Sequence, residues 1–112
     1  MKLITAVVKP HKVGDVKDAL KAEGITGMTV AEAQGFGRQG GHTDVYRGTE
    51  YVVEFIPKTE IQVIVDDDVA DKIVATIVAA AKTDTIGDGK IWVTSVERLV
   101  RIRTGEEGPE AI

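Results

Sequence analysis

Residues 87–93 read Gly87-Asp88-Gly89-Lys90-Ile91-Trp92-Val93, or GDGKIWV. If a helix opens after the lysine, the glycines belong to a nucleotide-binding α/β fold. If a strand opens there, they are a turn leading into a sheet. The Walker loop needs four residues between its glycines, a Ser or Thr after the lysine and a helix beyond. Here one residue separates the glycines, and the apolar residues that follow have strand character. The stretch Lys90–Arg103, KIWVTSVERLVRIR, is therefore expected to be the last long strand.

Working outward, KLITAVV at Lys2–Val8 is almost wholly apolar and rich in β-branched residues, so it reads as a first strand buried on both faces, ended by Pro10. From Val13 the spacing becomes helical: Val13, Val16 and Leu20 share a face, and Gly24 stands where a C-terminal cap belongs. MTVAEAQGFG, beginning at Met28, alternates and reads as a second strand, and IQVIV at Ile61–Val65 as a short buried third. Asp66, Asp67 and Asp68 suit a helix N-terminus, before an apolar stripe of Val69, Ile73, Ile77 and Ala80. The order β-α-β, β-α-β predicts an α+β, ferredoxin-like βαββαβ domain over residues 1–112, its four-stranded antiparallel sheet carrying both helices on one face. The first and third strands look apolar on both sides, so the open face is expected to pack against copies of the chain. The tail from Thr104 to Ile112 is polar and expected to be mobile.

From about Gly37 to Phe55 a glycine-rich segment without helical period joins the second and third strands. Connections longer than about 12–15 residues are uncommon unless functional or disordered. A flexible insertion and a binding loop that orders on contact both fit.

Composition excludes several classes. The 112-residue chain lacks Cys, so thiolate metal sites, a Cys nucleophile and disulfides are out, which fits the cytoplasm. A net charge of −4, with one Trp, two Tyr and two Phe, argues against general nucleic-acid binding. No apolar run is long enough to span a membrane, and the N-terminal segment reads as a strand rather than a signal peptide. Gly35-Phe36-Gly37-Arg38-Gln39-Gly40 matches GxGxxG, but no helical period follows, so a Rossmann site is rejected. His11 and His42 are isolated, the three aspartates read as a helix cap rather than a metal cluster, and no nucleophile–base pair or carboxylate pair stands out.

Anion binding needs no Walker spacing. Successive N–H groups of a glycine turn can converge as a nest, with Lys90 supplying full charge beside it; an ordinary turn fits the same residues. Arg101 and Arg103, two apart on a strand, would share a face, and two guanidinium forks suit a polyphosphate as well as they suit a solvated edge. On one long strand Lys90 and this pair would lie roughly 35 Å apart. One subunit could not clamp a triphosphate with both, whereas two subunits could.

TGMTVAEAQGFGRQGGHTDVYRGTEY, EFIPKTEIQVIV and TIGDGKIWVTSVERLVRIRTGE together resemble the PII signal transduction proteins, over Met1 to Glu106. YRGTEY at Tyr46–Tyr51 and TDTIGDGKIWV at Thr83–Val93 correspond to that family's two signatures. Thr49 stands where Ala or Ser is usual, and Asp84 and Thr85 where Gly and a basic residue are often found. The resemblance implies a homotrimer sensing ATP, ADP and 2-oxoglutarate in clefts between subunits. Gly87, Asp88, Gly89 and Lys90 would form the phosphate loop, with Arg101 and Arg103 arriving from the neighbouring subunit. Arg38, Met28 and Thr29 would border the nucleotide. Gln39 would ligate Mg²⁺ beside ATP, with 2-oxoglutarate completing the shell and Lys58 pairing with its distal carboxylate. The long loop would dock on ammonium transporters, nitrogen-regulatory enzymes and kinases, with Arg47 as a pore plug. A nucleotidyltransferase would modify Tyr51. Contact with a membrane would come only through a transporter. The rivals are a weak nucleotide-hydrolysing enzyme and a PII-like oligomer with another effector, but no residue is spaced to activate a nucleophile.

Overall fold

The computed structural model describes residues 1–37, 44–46, 50–52 and 54–112, the side chains of 44–46 and 50–52 excepted. Strand β1 spans Lys2–Val8 and is followed by a 3₁₀ turn at Pro10–Lys12 and helix α1, Val13–Ala22. Strand β2 is Thr29–Gly35, and two short strands, β3 (Asp44–Tyr46) and β4 (Glu50–Val52), pair as a hairpin. Strand β5 is Ile56–Val65, helix α2 Ala70–Ala81 and strand β6 Lys90–Ser95. The four long strands form one antiparallel sheet in the order β2-β5-β1-β6. With the hairpin set aside, this is the ferredoxin-like arrangement expected from the sequence.

One layer of core lies between the sheet and both helices. Ile4, Ala6 and Val8 on β1, and Ile61, Val63 and Val65 on β5, meet Val16 and Leu20 of α1 and Ile73 and Ile77 of α2, all buried. Helix α1 ends as its sequence dictates. Gly24 takes φ +87°, and the N–H of Ile25 donates to the Leu20 carbonyl at 3.0 Å, satisfying an end that would otherwise be orphaned. On α2 the deepest apolar positions are Ala70, Ile73, Ile77 and Ala81, while Val69 is exposed, so the helix is rotated slightly from the expected stripe. Asp67 accepts from the N-terminal amine at 2.9 Å, and no cluster of three metal-ligating side chains occurs among the described residues.

The face away from the helices carries Leu3, Thr5 and Val7, opposite Thr94, Trp92 and Lys90 on β6. Trp92 is 46% exposed there.

Three expectations are corrected. The last strand stops at Ser95, where its pairing with β1 ends at Lys2, and the Val96 N–H donates to the Met1 carbonyl. Arg101 and Arg103 are therefore not on a strand, and the shared face and the separation inferred from one long strand do not hold. The third strand is ten residues long, not five, and is buried on alternate positions from Thr59 to Val65 rather than on both faces. The tail returns on itself: Arg101 N–H donates to Glu106 O at 2.9 Å, Gly108 N–H to Leu99 O at 3.0 Å, and a 3₁₀ turn closes Gly108–Ala111.

Candidate functional site

The segment from Thr83 to Lys90 must pass from the end of α2 back to the edge of the sheet, and its backbone does so through left-handed conformations. Asp84 takes φ +64°, Gly87 +97° and Gly89 +103°. A Cβ on Gly89 would stand 1.7 Å from the Val7 carbonyl oxygen, so this glycine is required by position as well as by φ. Asp88 turns its carboxylate back into the loop. It accepts from the N–H of Thr83 at 2.8 Å, the N–H of Asp84 at 2.9 Å and the Thr83 hydroxyl. Lys9 lies beside it, with Nζ 3.3 Å from Oδ1. The Thr83 hydroxyl and amide, assisted by Lys9, hold the Asp88 carboxyl well below the ordinary carboxylate range.

Lys58, on β5, reaches across the sheet's open face and donates to the Gly87 carbonyl at 2.6 Å. Burial, together with the neighbouring Lys9 charge, pushes the Lys58 ammonium below the usual lysine range, and Asp88 partly offsets this. Lys58, Gly87, Gly89 and Lys90 line a concavity of about 770 Å³, with Phe36 and Trp92 among its walls. No acidic residue is among its described lining, and two ammonium groups are. Phe36 packs edge-to-face on Phe55 at 5.6 Å, joining the two stems of the long loop beside this concavity.

The sequence-predicted residues divide into two groups. Gly87, Gly89, Lys90 and Lys58 come together, with Asp88 behind them. Met28 and Thr29 line a separate concavity of about 430 Å³ with Gln62, Ile64, Leu99 and Ile112. Arg101 belongs to the C-terminal turn, where Nη1 donates to Glu106 at 2.9 Å and Nη2 to the Glu110 and Ile112 carbonyls at 3.0 and 3.2 Å. Arg103 is exposed in the turn that follows. The groups lie beyond opposite ends of β6, whose six residues alone span roughly 17 Å. The predicted residues of one chain thus fall in two separate regions. Arg38, Gln39 and Arg47 lie outside the described residues; Tyr51 is on β4, but its side chain lies outside them.

Sequence reasoning missed Lys9, Thr83 and Thr85. The signal was available in the strand pairing. The register that sets Val7 opposite Lys90 carries Lys9 to the level of Asp88 once β1 and β6 are known to be antiparallel neighbours.

A family model of nitrogen regulatory protein P-II matches residues 1–106. The chain belongs to the P-II family. It is 57% identical over 112 residues, the whole of both chains, to nitrogen regulatory protein P-II 1 of Escherichia coli K12. It is equally similar to nitrogen regulatory protein P-II of Klebsiella oxytoca, and 56% identical over the same full length to that of Azospirillum brasilense. These P-II relatives are named for nitrogen regulation, not for a catalysed reaction. Among the described residues, no helix is long and apolar enough to cross a membrane.

Proposed function

We propose that this P-II protein is a homotrimeric sensor of nitrogen and energy status, binding ATP or ADP together with 2-oxoglutarate and regulating partner proteins without catalytic turnover. The observation that carries this reading is the concavity in which the glycine turn, Lys90 and Lys58 converge, with no acid among its described lining. The phosphates would take the N–H groups of the Gly87–Gly89 turn and the charge of Lys90. Arg101 and Arg103 of a neighbouring copy would supply the other side of the clamp, with Met28 and Thr29 bordering the nucleotide there. Arg38 would border it from the loop.

Mg²⁺ prefers oxygen ligands in octahedral geometry, and a 2-oxo acid chelates it through two oxygens. The phosphates neutralise most of its charge, so a neutral side-chain amide such as that of Gln39 suffices from the protein. The absence of carboxylates from the described lining suits a trianionic or tetra-anionic guest. Lys58 would pair with the distal carboxylate of 2-oxoglutarate. Because Lys58 also holds the Gly87 carbonyl, the diacid and the phosphate loop share one ammonium. Such sharing couples the two ligands.

The loop carrying Arg47 and Tyr51 would present the bound state to ammonium transporters, nitrogen-metabolism enzymes and kinases in the cytoplasm. Nucleotidylation of Tyr51 would add bulk and negative charge there.

Titration calorimetry with 2-oxoglutarate, with and without Mg-ATP, tests the reading. The diacid should bind weakly alone and well with Mg-ATP, with a coupling of about 1–3 kcal/mol that appears equally when ATP is the titrant. Gln39→Ala should remove most of the coupling. Tight diacid binding without nucleotide, or none under any condition, would point to a different effector.

A further inference from the structure

We propose that Lys9, Thr83, Thr85 and Asp88 form a charge-balanced clasp that holds the 84–89 turn in its anion-receiving shape and keeps the Asp88 carboxylate out of the site. This inference rests on the nucleotide reading above and assigns residues that reading does not use. Asp88 is two residues before Lys90 and belongs to the loop that would surround the phosphates. An ionised carboxylate facing that space would repel them. Instead it faces backward, where its acceptors are taken by the Thr83 and Asp84 amides, the Thr83 hydroxyl and Lys9.

The donor inventory of the cluster closes. Lys9 Nζ has three protons and three neighbours: Thr85 Oγ1 at 2.5 Å, Thr83 Oγ1 at 3.1 Å and Asp88 Oδ1 at 3.3 Å. The Thr83 proton goes to Asp88. The Thr85 proton is then directed at the Thr83 oxygen, 2.6 Å away. Each hydroxyl therefore has one direction available to it, and the chain of bonds runs from ammonium through two hydroxyls to carboxylate. The Lys9 side chain is only 15% exposed and that of Asp88 24%, so solvent screens the pair less than a surface pair.

The carboxyl's depressed ionisation range supports this arrangement, since the charge Lys9 must balance is present at any physiological pH. The same contacts fix the backbone. Two amides anchored on one carboxylate oxygen set the direction of residues 83–85, and Lys58 pins the Gly87 carbonyl at the other end. The peptide groups between have little freedom to turn their carbonyls toward a phosphate. Asp88 and Lys9 are accordingly positioning residues, neither of them a ligand.

A purely scaffolding cluster and a charge-balancing one differ in a double substitution. Lys9→Met leaves Asp88 unbalanced beside the phosphate site, and Mg-ATP affinity measured by calorimetry on the full-length protein should fall about tenfold. Asp88→Asn keeps an oxygen for the two amides and removes the charge, so its affinity should fall less than that of Lys9→Met. The double variant Lys9→Met, Asp88→Asn should recover most of what Lys9→Met loses. A double variant no better than Lys9→Met, or a Lys9→Met that binds as wild type does, would overturn the proposal. If the wild-type protein bound no nucleotide, the nucleotide reading would fail by itself. The clasp would then be judged on amide hydrogen exchange in the ligand-free protein. Thr83 and Asp84 should lose protection in Asp88→Ala, and unchanged exchange there would overturn the clasp.

Discussion

Gly89 and Gly14 are both glycines inside ordered segments, and they should respond to the same substitution with opposite signs. Gly89 sits at φ +103° with the Val7 carbonyl in the place of its missing Cβ, so Gly89→Ala meets both backbone strain and a clash with a rigid neighbour. A loss of at least about 2 kcal/mol is expected, together with loss of nucleotide binding, because the β1–β6 pairing must open to relieve it. Gly14 lies in α1 with nothing within 4 Å of its Cβ position, and Gly14→Ala should gain roughly 0.5 kcal/mol. Denaturant unfolding at matched protein concentration checks both. Asp88 gives a second test at this scale. Its folded pKa lies below its unfolded value, so the stability due to the ionised carboxylate is complete above the ordinary carboxylate range and is lost as pH falls through and below it. Between about pH 5 and pH 3 the wild-type protein should therefore lose more stability than Asp88→Asn, and parallel pH curves would show that the clasp stores no such energy.

Elements were legible where one chain segment alone determines them, and less so where a neighbour does. Helices α1 and α2 follow from their own periodicity, and Gly24 marks the end of α1 without any tertiary information. The length of β6 could not be read this way. LVRIR has as much strand character as KIWVT, but a strand extends only as far as a partner offers N–H and C=O groups, and the pairing of β6 with β1 runs only to Ser95 opposite Lys2. The glycine loop and Lys90 were readable from spacing and Lys58 only through the family resemblance, while Lys9 was hidden because its role depends on register across the sheet. The misread strand matters for the arginines, which now differ. Arg101 holds the C-terminal turn through Glu106 and the last carbonyls, whereas Arg103 projects from it. Arg103→Ala should lower ATP affinity about ten- to a hundredfold, the worth of one or more hydrogen bonds to a charged group, and leave the melting temperature unchanged. Arg101→Ala should lower both. Equal melting temperatures for the two variants would mean that the turn does not depend on the Arg101 contacts.

If the proposed nucleotide cleft is shared, the assembly follows from its two sides lying on different surfaces of the chain. A two-fold interface could join the two ends only if both lay within one self-complementary patch, and they lie at opposite ends of β6. Joining the Gly87–Lys90 end of one chain to the Arg101–Arg103 end of the next is a heterologous contact, which closes as a ring or runs on as a filament. The uncovered sheet face, with Leu3, Val7 and the half-exposed Trp92, favours a closed ring that turns this face inward. Three copies of the 12.0 kDa chain give about 36 kDa, and light scattering at low micromolar concentration should find that mass and not the monomer's. A mixing experiment tests the shared site itself. Homotrimers of Lys90→Ala lack the loop lysine in every cleft, and homotrimers of Arg103→Ala lack the facing arginine in every cleft, so each alone should bind ATP poorly. When the two are unfolded together and refolded at equal amounts, a cleft is intact wherever an Arg103→Ala chain offers its loop to a Lys90→Ala neighbour. Random assembly places that pairing in about a quarter of the clefts, and tight ATP binding should return at about that stoichiometry. If each chain carried its whole site, mixing would restore nothing. A mixture that binds no better than its two components would end the shared-cleft reading.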